Sequence, residues 1–219
     1  MQSKTGTTGN GEVMAITFPR VFPSGIEIAK SALGLAFLNT VFFSDMARAI
    51  STGRVNDGLG DRWEGEWETT PLTFDQRAEL LAWMISLEGG LKLFKAQDLD
   101  RLLPSTKNGS FPGNGLVMGA SQTGTLLNVD GFPINSTILN PGDYFGWGNF
   151  THMVTVQADT NGAGEVTLEF EPPLKSSPAD NAAILTEGFF FLARLIDVPF
   201  AVSDNVKGLP VRLRFVEDL

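Results

Sequence analysis

Asp61-Arg62-Trp63-Glu64-Gly65-Glu66-Trp67-Glu68-Thr69 alternates without a break, with Arg62, Glu64, Glu66 and Glu68 on one side of an extended chain and Trp63, Gly65 and Trp67 on the other. Successive side chains of a strand point to opposite faces, so the stretch predicts a strand with one wet face and one face turned to a core. Pro71 stops it, having no N–H for a ladder. Just beyond, Thr73-x-x-Gln76 is a capping box able to satisfy free N–H groups reciprocally, and Asp75 and Glu79 lie near the positive end of the helix that follows. Phe74, Ala78, Leu81 and Ile85 recur at helical spacing, and Leu80, Trp83, Met84 and Leu87 broaden the stripe until Gly89-Gly90. The pattern predicts a helix over 73–89 that covers a sheet.

Outward from this centre the signals are those of strands. On the N-terminal side, Val13–Phe18 and Ile26–Lys30 are short runs of β-formers separated by Pro19, Pro23, Ser24 and Gly25, and Ile50–Asn56 precedes the turn Asp57-Gly58-Leu59-Gly60. On the C-terminal side Leu91–Ala96 resumes as a strand, and the polar segment Asp98–Pro112 suits a boundary between modules. Closely spaced strands are then expected at Leu116–Ala120, Thr125–Val129, Tyr144–Gly148, Thr151–Ala158 and Glu165–Phe170. They are separated by Asp130-Gly131, Pro141-Gly142-Asp143 and 161–164. That spacing fits a small antiparallel barrel, closed by Glu171-Pro172-Pro173. A loop through Lys175–Asn181 follows, and Phe189–Ile196 and Val211–Val216 supply strands at the end. The expected class is mainly β, with one covering helix.

Composition narrows the chemistry. The 219 residues carry 16 Lys+Arg against 25 Asp+Glu, a formal net charge of −9, and such a field repels polyanions, which argues against a nucleic-acid groove. Cysteine is absent, which removes disulfides, thiolate nucleophiles, thiolate zinc sites and iron–sulfur clusters, and the single histidine, His152, leaves a His-based metal cluster short of ligands. Apolar residues at 42% and charged residues at 19% are a globular balance for one or two compact domains. The first dozen residues, MQSKTGTTGNGE, have no apolar run for a signal peptide and are expected to form a flexible arm. The most apolar windows, Ala32–Phe43 and Phe189–Ile196, are too short for a membrane span and are interrupted by Asn39 and Arg194.

Individual site patterns are weak. Glu64, Glu66 and Glu68 have the residue type for paired carboxylates of glycoside hydrolysis, but same-face residues of one strand ordinarily form its solvated side. Asp159-x-Asn161-Gly162-x-Gly164-Glu165 spaces oxygen ligands faintly like a calcium loop, without the twelve-residue frame and its terminal bidentate Glu, so a Gly-rich hairpin turn is expected. Gly113-x-Gly115-x-x-x-Gly119 fails as a dinucleotide fingerprint, because its third glycine is late and no helix follows. Neither a Gly-x-Ser-x-Gly elbow nor a phosphate loop occurs. His152 reads as a structural strand histidine. Trp63, Trp67 and Trp83 fall on core positions, which leaves Trp147, in Tyr144-Phe145-Gly146-Trp147-Gly148, as the possible exposed aromatic contact. Nothing specific supports an enzyme: the expectation is no catalytic residue, no metal and no cofactor.

The succession Arg62-Trp63-Glu64-Gly65, a capped helix, Leu87-x-Gly89-Gly90 and Leu91-Lys92-Leu93-Phe94 resembles the N-terminal region of distal tail proteins of long-tailed bacteriophages. Downstream, the run Val117 to Thr125, then Leu139-x-Pro141-Gly142-Asp143-Tyr144, Val154-x-Val156-x-Ala158-Asp159, Gly164-x-Val166-x-Leu168 and Pro172-Pro173-Leu174 is similar to a β-rich segment of phage tail-tip proteins, the order carrying the likeness. The resemblance spans residues 45–218 loosely, and Val211 to Glu217 looks like a last strand returning to the first module. It implies a discontinuous ring-forming β-sandwich over 13–109 and 188–219, after an arm at 1–12, with a small inserted antiparallel β-barrel at 110–187. It also implies a structural virion protein of the tail tip, assembled in the host cytoplasm as a ring, by the resemblance a hexamer, at the end of the tail tube. Its partners would be copies of itself, the tube protein above and hub and fibre proteins below, with DNA only passing through the lumen. Glu64, Glu66 and Glu68 are then candidates for acidic residues facing that lumen. A tube, hub or terminator subunit is the near alternative. From other classes, a sugar-binding module would use Trp147, and a glycosidase would depend on Glu64 or Glu66.

Overall fold

The computed structural model describes residues 17–44, 49–54, 60–106, 114–197 and 209–218. In chain order its elements are β1 (Ile28–Ala36), β2 (Asn39–Ser44), β3 (Ala49–Arg54), β4 (Arg62–Thr69), α1 (Phe74–Ser86), β5 (Phe94–Ala96), β6 (Gly115–Val117), β7 (Gly124–Asp130), β8 (Thr137–Leu139), β9 (Tyr144–Trp147), β10 (Phe150–Val154), β11 (Ala158–Asp159), β12 (Val166–Leu174), β13 (Ala183–Ile184), β14 (Phe191–Asp197) and β15 (Arg212–Glu217). The chain is mainly β, a helix-covered sheet joined to a curled, nearly closed barrel-like sheet.

The first sheet has the order β1-β4-β15-β14-β5. β4 keeps the alternation of its sequence: Trp63, Trp67 and Thr69 are buried, while Arg62 and Glu64 are exposed. Gly65 is required by what faces it. It lies opposite Phe215 in the β4–β15 register, and a Cβ there would come within 2.4 Å of the Phe215 ring. Omitting a side chain at Gly65 lets that ring lie between the tryptophans, with Trp67 and Phe215 at 4.7 Å and Phe94 closing the cluster edge-on at 5.7 Å from Phe215.

Helix α1 starts where the capping box places it. Gln76 N–H donates to Thr73 Oγ1 at 3.3 Å, and Thr73 N–H donates to Gln76 Oε1 at 3.0 Å. It ends through a 3-10 turn, Glu88–Gly90, in which Gly90 takes φ +92° against the Leu195 carbonyl, a conformation and an approach that exclude a side chain. The face turned to the core differs from the expected one. Leu80, Trp83, Met84 and Leu87 are buried, whereas Phe74, Ala78, Leu81 and Ile85 point to solvent. Helical spacing identifies stripes, and a helix with two must present one of them away from its sheet.

The second sheet, order β13-β6-β7-β12-β10-β9, curls until its edges meet. Gly146 of β9 and Leu185, just after β13, exchange backbone hydrogen bonds of 2.7 and 2.8 Å. Leu127, Val129, Phe145, Val154, Leu168, Phe170 and Ile184 fill the interior. β8 and β11 form a separate two-stranded piece, because the expected strand 151–158 is broken after Val154 and resumes on a different partner. β12 runs through Pro172-Pro173 instead of ending there. Proline lacks a donor but keeps its carbonyl, and that of Pro172 is taken by the His152 ring, 2.8 Å away, so the extended chain remains satisfied.

Other departures are local. Of the expected strand Val13–Phe18, residues 13–16 lie outside the described residues, and Thr17 and Phe18 are not in a strand; pairing begins at Arg20, which bridges Phe94. The arm at 1–12, residues 107–113 of the connector and the Asp57–Leu59 turn are also outside the described residues. The apolar window Ala32–Phe43 is the end of β1 and most of β2. β2 pairs with β3 in a hairpin, six residues a side, that joins neither sheet among the described residues.

Candidate functional site

Two features of this architecture bear on function: a buried polar junction where the modules meet, and charged and apolar surfaces that the chain leaves outside.

The junction is built by the ends of strands. β15 delivers Glu217 to the inner side of its sheet, and Lys175 follows β12 directly; their Oε2 and Nζ atoms are 2.9 Å apart, with side chains only 1% and 9% exposed. Trp63 N–H donates to the same Glu217 Oε2 at 3.0 Å, and Trp63 Nε1–H crosses to the Thr151 carbonyl of β10 at 2.7 Å. Burial pushes the Glu217 carboxyl above its ordinary range and the Lys175 ammonium below its own, and each charge only partly offsets the cost to the other. Beside Thr151, His152 stacks on Phe145 at 5.3 Å and meets Phe170 edge-on at 4.8 Å. Burial lowers its pKa to about 4, so it is neutral at pH 7, with Nδ1–H donating to the Pro172 carbonyl and Nε2 buried without a partner. Tyr144 packs edge-on against Trp63 at 5.7 Å, and burial together with Asp98 pushes its hydroxyl up. A lysine, a carboxylate and a histidine are thus close together, but they are sealed among aromatic rings.

The residues singled out from sequence are not gathered at one place. Glu64, Glu66 and Glu68 do share the outer face of β4, where they meet Lys30 and Arg212 of the neighbouring strands and Arg62 of β4 itself. Glu68 Oε2 lies 3.5 Å from Lys30 Nζ and 3.1 Å from Arg212 Nε; Glu66 is 3.9 Å from Arg212, and Glu64 is 3.9 Å from Arg62. The face is a charge-balanced ladder, with Glu66 and Glu68 paired across strands and Glu64 paired along its own, not a bare acidic surface. Trp147 is half-buried, with its ring stacked on Phe150 at 5.7 Å and packed against the barrel core, so one of its faces is already used. In the 159–165 loop the Asn161 Oδ1 accepts from the N–H groups of Ala163 and Glu165. The Asp159 carboxylate is held low by Thr137 and Gln157, so these oxygens serve a turn. Gly113 lies outside the described residues, and Gly115 opens β6 against the Phe132 ring.

Sequence reasoning did not find Lys175 or Glu217. The first reads as part of a polar loop and the second as the tail of a strand, and only the meeting of the two modules gives them a common environment. A cleft of roughly 600 Å³ near the connector is lined by Leu99, Arg101, Leu103, Ser105, Pro141 and Asp143. Asp143 is occupied there by Ser105 N–H and Oγ–H at 2.9 and 3.0 Å and by Asn140 N–H at 2.8 Å. Among the described residues no group of three or more acidic or histidine side chains is placed to hold a metal ion, and no helix is long and apolar enough to cross a membrane. No family model matches the chain, and no curated protein matches it.

Proposed function

We propose that the chain is a non-enzymatic structural subunit of a phage tail tip. In this reading it assembles with copies of itself into a ring, hexameric by the resemblance, at the distal end of the tail tube, between the tube protein and the hub and fibre proteins. The carrying observation is the β2–β3 hairpin, which follows edge strand β1 after two residues and pairs with no other strand among the described residues. An isolated two-stranded hairpin is marginal in water, and a third strand or a covering surface is what stabilises it. β1 itself has nine residues, one charge (Lys30) and no proline, so it carries little of the protection that keeps edge strands apart. Hairpin and edge together favour function through contacts between subunits. The sealed junction and the ion-paired glutamates favour no hydrolytic reading, and a half-covered Trp147 gives little support to a sugar platform. A tube, hub or terminator subunit is the near alternative and is separated from the distal position by its binding partners.

Light scattering of the full chain across concentration, followed by averaged electron-microscope images, tests the reading. A closed ring with an axial opening is expected. Replacement of Asn39–Arg54 by a short Gly/Ser linker is expected to abolish it while the chain stays folded. Rings that form unchanged without the hairpin would refute the assignment of assembly to it, and glycan binding or hydrolysis by a ring-free chain would replace the structural reading.

A further inference from the structure

Helix α1 is apolar on two opposite sides, and only one of them has a partner in the described chain. The outward side carries Phe74, Leu81 and Ile85, exposed by 85%, 38% and 65%, with exposed Ala78 between them. A helix that merely covers a sheet needs a single stripe. The spacing of this second one, 74, 78, 81, 85, is four, three, four, the 3.5-residue repeat by which one helix seats another knob into hole. Asp75 and Glu79 line one flank of the seam, and Arg77, whose guanidinium donates to the Leu209 carbonyl at 3.3 Å, lies along the other.

We propose that this face packs against the same face of a second copy of the chain, the two helices antiparallel about a two-fold axis. The order of side chains supports that occupant and that direction. In the antiparallel register Phe74 meets Ile85 of the second copy and Ala78 meets Leu81 of the second copy, so the two inner layers each combine a small residue with a large one. A parallel register would stack Phe74 on Phe74 and Ala78 on Ala78, leaving one layer overfilled and the next empty. The antiparallel register sets the two helix dipoles head to tail and brings Asp75 beside Ala82; the two copies of Glu79, next to the two-fold axis, are the like-charged pair on that flank. A two-fold contact is isologous and cannot close a six-fold ring, which needs a heterologous one. The pairing therefore adds to the ring reading instead of restating it, joining either two chains or two rings.

The chain has no cysteine, which makes cross-linking a direct test. In the antiparallel register the double variant Phe74→Cys/Ile85→Cys forms a covalent dimer under mild oxidation. Each single variant does not, because residue 74 lies about 16 Å from its own copy, and residue 85 likewise, far beyond disulfide reach. By light scattering, Leu81→Glu halves the mass of the species formed by the unmodified chain, whether that species is a pair of chains or a pair of rings, so the result does not depend on ring formation. Ile85→Glu, at a more exposed position, does the same and guards against a folding defect at Leu81. A mass unchanged by both substitutions would overturn the proposal, as would cross-linking of the single variants as efficient as that of the double one, or an unmodified chain that stays monomeric at the highest soluble concentration.

Discussion

On the outer face of the five-stranded sheet Glu68, half-buried, lies between the solvent-exposed cations Lys30 and Arg212, while at the inner end of the same sheet Glu217 meets Lys175 almost without water. Both are carboxylates at ion-pair distance from a cation, and what separates them is the cation, exposed on the ladder and buried at the junction. The outer pairs gain little because solvent screens them and competes for them. The inner pair couples the first module to the second, and removing either partner leaves an uncompensated charge in an apolar place. Charge on the ladder governs how the sheet meets its surroundings, and charge at the junction governs whether the two modules stay together.

Breaking the junction is expected to have the largest effect. Lys175→Met, which keeps the apolar stem, should cost about 3–5 kcal/mol in denaturant unfolding. Adding Glu217→Gln should recover most of the loss, since the amide oxygen still accepts from Trp63 N–H. A double variant as unstable as the single one would show that the pair itself, and not the orphaned charge, matters.

Acid should act next, through His152. Its folded pKa of about 4 lies below the ordinary 6.5, so on acidification the unfolded chain takes up the proton first. The contribution is complete above about pH 6.5 and is lost as pH falls towards 4, amounting to about 2 kcal/mol between pH 7 and pH 5. Unfolding midpoints at those two pH values should differ in the unmodified chain and differ much less in His152→Phe.

Single contacts follow. Trp63→Phe removes the hydrogen bond to the Thr151 carbonyl, leaves that buried acceptor unmet and shortens a buried side chain, and should cost about 1–3 kcal/mol at unchanged net charge. Arg212→Ala, on the ladder, should cost less than about 1 kcal/mol and lose even that in high salt, whereas the Lys175→Met effect should persist in salt. Equal salt sensitivity of the two would erase the distinction between the faces.

The same contrast marks how much of the molecule was legible along the chain. Alternation in 61–69, the Thr73–Gln76 box, the glycines that end α1 and most strands of the barrel depend on neighbours within a few residues, and they are found close to where the pattern put them. Helix α1 shows the limit: its spacing announced apolar residues, and which of two stripes faces inward was decided by Trp67, Phe94 and Phe215 arriving from other strands. The passage of β12 through Pro172-Pro173 was likewise hidden, because it depends on a histidine twenty residues earlier that accepts the role of ladder partner. The candidate site was the least legible part. Glutamates on β4 were visible as one face, but two of the cations that neutralise them come from other strands, Lys30 38 residues before Glu68 and Arg212 144 residues after it, and Lys175 and Glu217 are 42 residues apart.

Composition and local order therefore decided the class of the protein: a mainly β chain without thiol chemistry, with a capped helix and a wet-faced strand. Tertiary structure alone decided burial, and with it which charges are costly, which apolar stripe is left exposed, and where the two sheets are tied together. The physical reason is range. Dihedral preference and capping act over one turn or one hairpin, whereas dielectric environment and packing are properties of whatever the rest of the fold brings alongside.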